Sequence, residues 1–335
     1  MVSLKTALCR QLGIELPIFN AGMGAGVASA DLAAAVCNAG GLGVLGMGGL
    51  PPAVIREQIR RLRSLTRRPF GVNLILPLLE EGQVEACLEE KVPVLILFWG
   101  DAKPFVDAAH RVGTKVMLQC GSVAEAKEAA AAGVDAVMIQ GVESGGHVRG
   151  TTALSICLPA VVAAVRPLPV VAAGGVADGR GLAAALALGA QAVSIGTRFL
   201  CSNEANVTRE YKDRVVAARA EDTVHTLLFD VGWPNAAHRV LRNKAYAEWE
   251  KAGCPPSGAR PGEGVCFGAV TIGGTRVELP RYHVFMPLQG FEGDVEYAAL
   301  YAGQSCALVD EIKPAAEIVG DLVRGAEAVL QKSAS

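Results

Sequence analysis

The chain has 335 residues, 51% hydrophobic and 19% charged, with Lys+Arg 31 set against Asp+Glu 33 for a formal net charge of −2. That length supports a large core, or one large domain with a small one beside it, and the balanced charge with no long single-sign run argues against a nucleic-acid partner. The densest basic cluster, Arg60, Arg61, Arg63, Arg67 and Arg68, reads as a solvated helix face, because aromatic residues are only 5% and no second basic patch backs it.

From the N-terminus, MVSLKTALCRQLGIELP is interrupted by Lys5, Arg10 and Glu15. It lacks the apolar run of a signal peptide or a membrane span, so a cytoplasmic protein is expected. A unit then repeats. Apolar runs that end in glycine or a polar residue, PIFNAGMG (17–24), GLGVLGMGG (41–49), FGVNLILP (70–77), VPVLILFWG (92–100), TKVMLQCG (114–121), DAVMIQG (135–141), LPVVAAGG (168–175) and AVSIGTRF (192–199), mostly alternate with Ala/Leu/Glu-rich helical stretches. The runs are apolar on successive residues, as parallel strands covered on both faces are. Several helices close on glycine, at Gly113, Gly133 and Gly189. Eight such units, with no early GxGxxG, favour a (β/α)8 TIM barrel over a doubly wound open sheet.

Beyond Phe199 the pattern changes. EYKDRVVAARA and HRVLRNKAYAEWEKAG read as helices, CPPSGARPGEGV as a Pro/Gly loop and VTIGGTRVELP as a hairpin, while the tail DEIKPAAEIVGDLVRGAEAVL is amphipathic helix that closes the barrel. The expected organisation is a barrel of residues 1–217 plus 303–335, with a smaller, mostly helical cap or substrate domain, 218–302, inserted after strand eight. Trp233, Phe267, Tyr282 and Phe285 are the cap's candidates for the substrate lining. Nine cysteines are scattered with no CxxC pair, and no two histidines sit at metal-ligand spacing. No metal site is expected, and the free thiols suit a reducing compartment.

Chemistry in such barrels sits at the C-terminal ends of the strands. Those ends carry Asn20, Gly22 and Met23 after strand one, Asn73 after strand three, Gln119 after five, and Gln140, Gly145, Gly146 and His147 after six. Strand seven ends on Gly174-Gly175 and strand eight on Ser194-Ile-Gly196-Thr197. The paired GGVADG and IGT loops offer backbone N–H groups and a helix N-terminus to one phosphate. A phosphate there leaves room for a planar cofactor over the barrel mouth. Amides at Asn73, Gln119 and Gln140 suit a flavin's pyrimidine ring and ribityl chain, with the Gly22-Met23 backbone near its face. His147, just past two glycines, is placed to remove a proton near neutral pH. His110, His225, His238 and His283 lack such a setting and read as helix or cap residues.

PIFNAGMG, NAGGLGVLG, RPFGVNL, QGVESGGH, AAGGVADGRGLAAALALGA with IGTRFL, and YAGQS resemble the motifs of the nitronate monooxygenase family, formerly 2-nitropropane dioxygenases, over nearly the whole chain. The resemblance implies an FMN-dependent barrel in which Asn73, Gln140, Gly145, Gly175, Ser194, Gly196 and Thr197 bind FMN. It implies that His147 acts on a nitroalkane or nitronate, with O2 as co-substrate and a carbonyl compound and nitrite as products. The same barrel with a similar ESGGH segment also serves FMN-dependent enoyl-[acyl-carrier-protein] reductases. An NAD(P)H-dependent reductase of a quinone or an enoyl thioester is therefore the alternative, and a non-catalytic flavin- or phosphate-binding protein a third. The sequence leaves the oligomeric state open, a homodimer included.

Overall fold

The protein is described from a computed structural model that covers residues 3–272 and 274–334. Its strands in chain order are β1 (Ile18–Asn20), β2 (Gly43–Gly46), β3 (Phe70–Ile75), β4 (Val94–Phe98), β5 (Lys115–Cys120), β6 (Ala136–Gln140) and β7 (Gly146–His147). They continue with β8 (Val170–Ala173), β9 (Ala192–Ile195), β10 (Thr223–Thr226), β11 (His238–Leu241), β12 (Cys266–Ile272), β13 (Thr275–Pro280) and β14 (Glu292–Gly293). All but β7 among the first nine form one parallel eight-stranded sheet, in the order β1-β9-β8-β6-β5-β4-β3-β2. Helices connect them, so the expected TIM barrel is the observed architecture.

The barrel closes at the seam between β1 and β2. There the Leu42 amide donates to Ile18 O at 2.9 Å, and Phe19 bridges Leu42 in parallel. Asn20, wholly buried, completes the seam as a side-chain substitute for ladder bonds. Its Oδ1 accepts from Val44 N at 2.9 Å and its Nδ2 donates to Val44 O at 2.8 Å and to Ala21 O at 3.1 Å. A Cβ at Gly46 would lie 1.8 Å from Met23 O, so only glycine lets the chain after β1 cross this close to β2.

Two hydrophobic layers result. Phe19, Leu42, Val44, Val94, Ile96, Met117, Met138 and Val171 fill the barrel interior, joined by Leu8, Cys9 and Leu12 of the helix Ala7–Leu12. That helix is anchored by Thr6 and Ala7 to Gln191, next to the N-terminal end of β9, so it plugs the end opposite the site. The second layer lies between strands and helices. The tail helix Ala315–Ala334 closes against the helix Gly179–Ala187, where a Cβ on Gly179 would meet Ala326 N at 2.4 Å. The arginine cluster is a solvated helix face as expected, with Arg60 and Arg63 on Glu90, Arg61 on Asp31 and Arg68 on Glu15.

Residues 218–302 differ from the helical expectation. Among the described residues this segment holds one α-helix, Lys244–Lys251, and five strands. HRVLRNKAYAEWEKAG divides because His238–Leu241 is buried on every residue and pairs with both β10 and β7, and because Asn243 caps the helix by accepting from Tyr246 N. The expected hairpin is present as β12–β13, with Gly273 outside the described residues. No helix of the described residues is long and apolar enough to cross a membrane.

Asn20→Ala leaves the Val44 amide and carbonyl buried without partners. It is expected to lower unfolding free energy by about 1–3 kcal/mol, measured by chemical denaturation of the purified variant.

Candidate active site

Side chains alternate along each barrel strand. In β4, Val94 and Ile96 enter the interior while Leu95 and Leu97 face the helices, and β6 repeats this with Ala136 and Met138 against Val137 and Ile139. Carried one step further, the alternation turns Asn73, Phe98, Gln119, Gln140 and Ser194 inward above the interior core. There they line a cavity of about 600 Å³ at the C-terminal ends of the strands. Gly22, Met23, Gly145, Gly146, His147, Gly174, Gly175, Gly196 and Thr197 line the same cavity.

Asn20 is the exception. Phe19 takes the inward position, so Asn20 points the other way, and its amide is committed to Val44 and Ala21. It closes the barrel and is not among the residues that line the cavity, where a cofactor ligand was expected. Gln140 faces the cavity but is already partnered: its Nε2 donates to His147 O at 2.9 Å and its Oε1 accepts from Arg149 N at 3.2 Å. Its first task is to fix the loop that carries His147. Asn73 is seated by a 3.3 Å bond from Nδ2 to Ile96 O, and it needs glycine opposite, since a Cβ at Gly22 would lie 2.2 Å from its own Cβ.

The glycine turns form an anion cradle of backbone rather than side chains. Gly174 and Gly175 take φ of +93° and +70°. The amides of Gly174, Gly175, Val176 and Gly196 donate to no group among the described residues, while all four residues line the cavity. The helix Gly179–Ala187 does not join them, because its N-terminus is capped by Asp178, which accepts from Gly181 N. Converging unpaired N–H groups of this kind suit a phosphate, and inward amides above them suit the polar edge of a planar ring. The residues present therefore fit a flavin mononucleotide. Glu143, absent from the expected set, holds this end together through its carboxylate, which accepts from Leu154 N at the start of the helix Leu154–Val165.

His147 reaches the cavity as half of the two-residue strand β7, antiparallel to β11, with His147 opposite His238 and Gly146 opposite Arg239. Val148 N donates to Ala237 O at 2.8 Å, and Arg239 donates through Nη2 and Nε to Val142 O. Behind the loop, a Cβ on Gly145 would sit 2.3 Å from Gly303 N, and that amide donates to Thr197 Oγ1. The imidazole stacks on Trp233 at 4.1 Å and meets His238 and Tyr301 at 5.4 Å each and Trp99 at 6.3 Å. Its Nε2 is buried and has no hydrogen-bond partner among the described residues. Burial first, and His238 second, hold its pKa well below the usual histidine value.

Three histidines and several aromatic residues thus cluster where one histidine was expected. His238 is wholly buried beside His147, and His283 lines the cavity, its Nδ1 accepting from Phe285 N. Trp233 and Phe285 line the cavity too, whereas Tyr282 and Phe267 are not among its lining. Phe98, Tyr211, Met286 and Tyr301 complete the wall. Phe98 was legible from strand alternation, and Tyr301 from its place in YAGQS. Trp233, His238 and His283 are brought in by the fold of 218–302, for which the sequence carries no strong motif.

Burial also lowers His238, from 6.5 to about 4. Over that window the unfolded chain binds protons that the folded chain refuses, so stability falls as pH falls from about 6.5 toward 4, by roughly 1.4 kcal/mol per pH unit for each histidine. Urea denaturation between pH 7 and 4.5 is expected to show this slope, reduced in His238→Gln, which has nothing to protonate.

Comparison with known proteins agrees with this geometry. The nitronate monooxygenase family model matches residues 5–83 and 79–325. A nitronate monooxygenase of Pseudomonas aeruginosa is 34% identical, over 94% of this chain and 97% of that one. The (3aS,4S,5R,7aS)-5-hydroxy-7a-methyl-1-oxo-octahydro-1H-indene-4-carboxyl-CoA dehydrogenase of Mycobacterium tuberculosis is 38% identical, over 74% of this chain and 69% of that one. The structure of FabK from Thermotoga maritima superposes with a TM-score of 0.80 at 34% identity, covering 98% of this chain and 97% of that one. The chain therefore belongs to the nitronate monooxygenase family, and with it to the flavin-dependent oxidoreductases.

Proposed function

We propose that the protein binds FMN and oxidises nitroalkanes and nitronates with O2 to carbonyl compounds and nitrite, with His147 as the base. The observation that carries this reading is the buried, unpartnered Nε2 of His147 in a cavity whose other end offers four unpaired backbone amides. When bound, the flavin supplies the acceptor for the electrons of the deprotonated carbon. The chain's own part is threefold. Gly174, Gly175, Val176 and Gly196 hold the phosphate. Asn73, Gln119, Ser194 and Thr197 orient the ring system and its ribityl chain. His147 takes the proton from the carbon beside the nitro group, in a wall of Trp233, Phe98 and Tyr301 that keeps water away. An imidazole kept neutral has its lone pair free, which a base requires. We further read residues 218–302 as the substrate-side domain on a barrel of 1–217 plus 303–335, since Trp233 and His283 come from it.

A second reading, an NAD(P)H-dependent reductase or dehydrogenase acting on a thioester, is favoured by the likeness to FabK and to a carboxyl-CoA dehydrogenase. Met23, Ile75, Leu78, Phe285 and Met286 give the cavity an apolar side that suits a hydrocarbon chain. Anaerobic mixing with NADH or NADPH separates the two, because rapid bleaching of the flavin absorbance supports the reductase and indifference the oxygenase.

The protein is expected to purify yellow, and heat-released cofactor to run as FMN on chromatography. Recovery of FAD, or of no flavin after reconstitution, would contradict the single phosphate cradle. Gly175→Asp is expected to weaken FMN binding by orders of magnitude, because it brings a negative charge and a side chain into the cradle. A folded variant with normal flavin content would move the site elsewhere.

His147→Ala is expected to keep FMN and to lose about 10²–10⁴-fold in activity on a neutral nitroalkane. It should lose less on a preformed nitronate, which has already given up its proton. Equal losses on both forms would make His147 an orienting group instead.

A further inference from the structure

His238 has both ring nitrogens engaged by main-chain atoms of opposite character. Phe229 N lies 3.2 Å from Nε2, and an amide can only donate, so Nε2 carries the lone pair. Ala236 O lies 2.9 Å from Nδ1, and a carbonyl can only accept, so Nδ1 carries the proton. The tautomer is thereby fixed. A second proton on Nε2 would face the Phe229 N–H donor to donor, inside a residue with no exposed surface. The ring that is locked in this way stands directly opposite His147 in the β7–β11 ladder, 5.4 Å away centroid to centroid.

We propose that His238 is a positioning residue for His147: its single neutral tautomer ties the 229–236 segment to β11, against which the strand that carries His147 is laid, and keeps a second positive charge from forming beside it. This rests on the reading of His147 as the base. If His147 takes a proton during turnover, a neighbour 5.4 Å away that could also charge would oppose it. His238 cannot do so, yet its ring fills the space that water would otherwise enter. The groups that face the pair are consistent with this. Tyr301 is buried, and its hydroxyl donates to Val284 O at 2.9 Å. Trp233 covers the His147 ring face, and Trp99 contacts His147 edge to face while the Arg149 guanidinium lies over the Trp99 ring at 5.2 Å. His225 of β10 and Asp230 act on His238 with opposite signs. Arg239, next along β11, directs its guanidinium to Val142 O and Thr223 Oγ1.

The test is a histidine titration by NMR in holoenzyme labelled with ¹³C,¹⁵N-histidine, His147 being assigned by the loss of its signals in His147→Ala. In the wild-type protein, the ¹⁵N shifts of His238 are expected to show a protonated Nδ1 and a bare Nε2, unchanged from pH 8 to pH 5. A protonated Nε2, or ordinary titration near pH 6.5, would overturn the proposal with no variant needed. In His238→Phe, which keeps the ring volume but neither hydrogen bond, the segment that supports β11 is expected to loosen and admit water beside His147, relieving the desolvation that holds it down, so that His147 titrates at least one pH unit higher than in the wild type. The ascending limb of kcat/KM should move up with it, and the plateau should fall roughly tenfold. His238→Gln, which keeps one donor and one acceptor, is expected to restore both. A His238→Phe enzyme that loses thermal stability while His147 titrates as before has lost only structure, and the proposal fails. Full turnover by His147→Ala is a different result. It would remove the base reading while leaving the His238 tautomer and the His147 titration to be judged on the NMR data.

Discussion

The pairing of β7 with β11 is the contact on which the site depends. A barrel strand ends at Gln140, seven residues short of His147. A loop of that length, with glycines at Gly141, Gly145 and Gly146, has no reason of its own to hold an imidazole still. It is held because Gly146 and His147 become strand, laid against Arg239 and His238, with Val148 N on Ala237 O and the Arg239 guanidinium on Val142 O. From the barrel side Gln140 closes the same loop onto its own strand through His147 O and Arg149 N. From below, Gly145 and Gly303 pass backbone to backbone, where a side chain on either would collide. Three separate parts of the chain thus immobilise one residue, a condition that the proposed base needs if it is to meet a carbon acid in one geometry.

The same packing sets the electrostatics. Trp233, Tyr301, Trp99 and His238 surround the imidazole without offering it a hydrogen bond. Desolvation then acts against the cation, so the ring rests neutral. If His147 is the base proposed above, it is ready to accept a proton at neutral pH, but the imidazolium it forms must be stabilised by something in the cavity. A substrate anion is the natural partner, since proton transfer creates both charges together and a few ångströms apart in a low dielectric. On the proposed reading, strong desolvation of the base and the transient birth of a carbanion or nitronate beside it are two sides of one design.

How much of this was legible in the sequence follows from strand parity. Once Ile96 and Met138 are known to be interior, period two fixes Phe98 and Gln140 as interior as well, and the same step places Asn73, Gln119 and Ser194. Asn20 fails by that same rule: Phe19 occupies the inward position, so the next residue faces the β1–β2 seam. Its polarity was visible in the sequence, but its direction depended on a parity that three strand residues do not reveal. GGVADGRG was likewise legible only in part. Its first two glycines line the cavity, while Asp178 caps a helix and Gly179 packs against Gly325 and Ala326 of the tail helix. The segment 218–302 was least legible, because its strands are short and are recruited by pairing with partners distant in sequence. Helix propensity in RNKAYAEWEKAG spread backward over HRVL, where tertiary pairing with β10 and β7 prevailed.

The likeness to a nitronate monooxygenase, to a CoA-thioester dehydrogenase and to FabK becomes intelligible in these terms. The matches to FabK and to the nitronate monooxygenase cover 98% and 94% of this chain, so the likeness extends beyond the barrel. On the proposed reading the substrate meets His147, the apolar wall of Met23, Phe98, Phe285 and Met286, and the face of Trp233. A neutral imidazole in such a wall serves carbon acids of more than one kind, because what it requires is a C–H made acidic by a neighbouring electron-withdrawing group. A nitro group and a thioester carbonyl both meet that requirement. On the proposed reading, what separates them is the shape that Trp233 and the 283–286 stretch leave over His147, together with Met23 and Phe98 of the barrel.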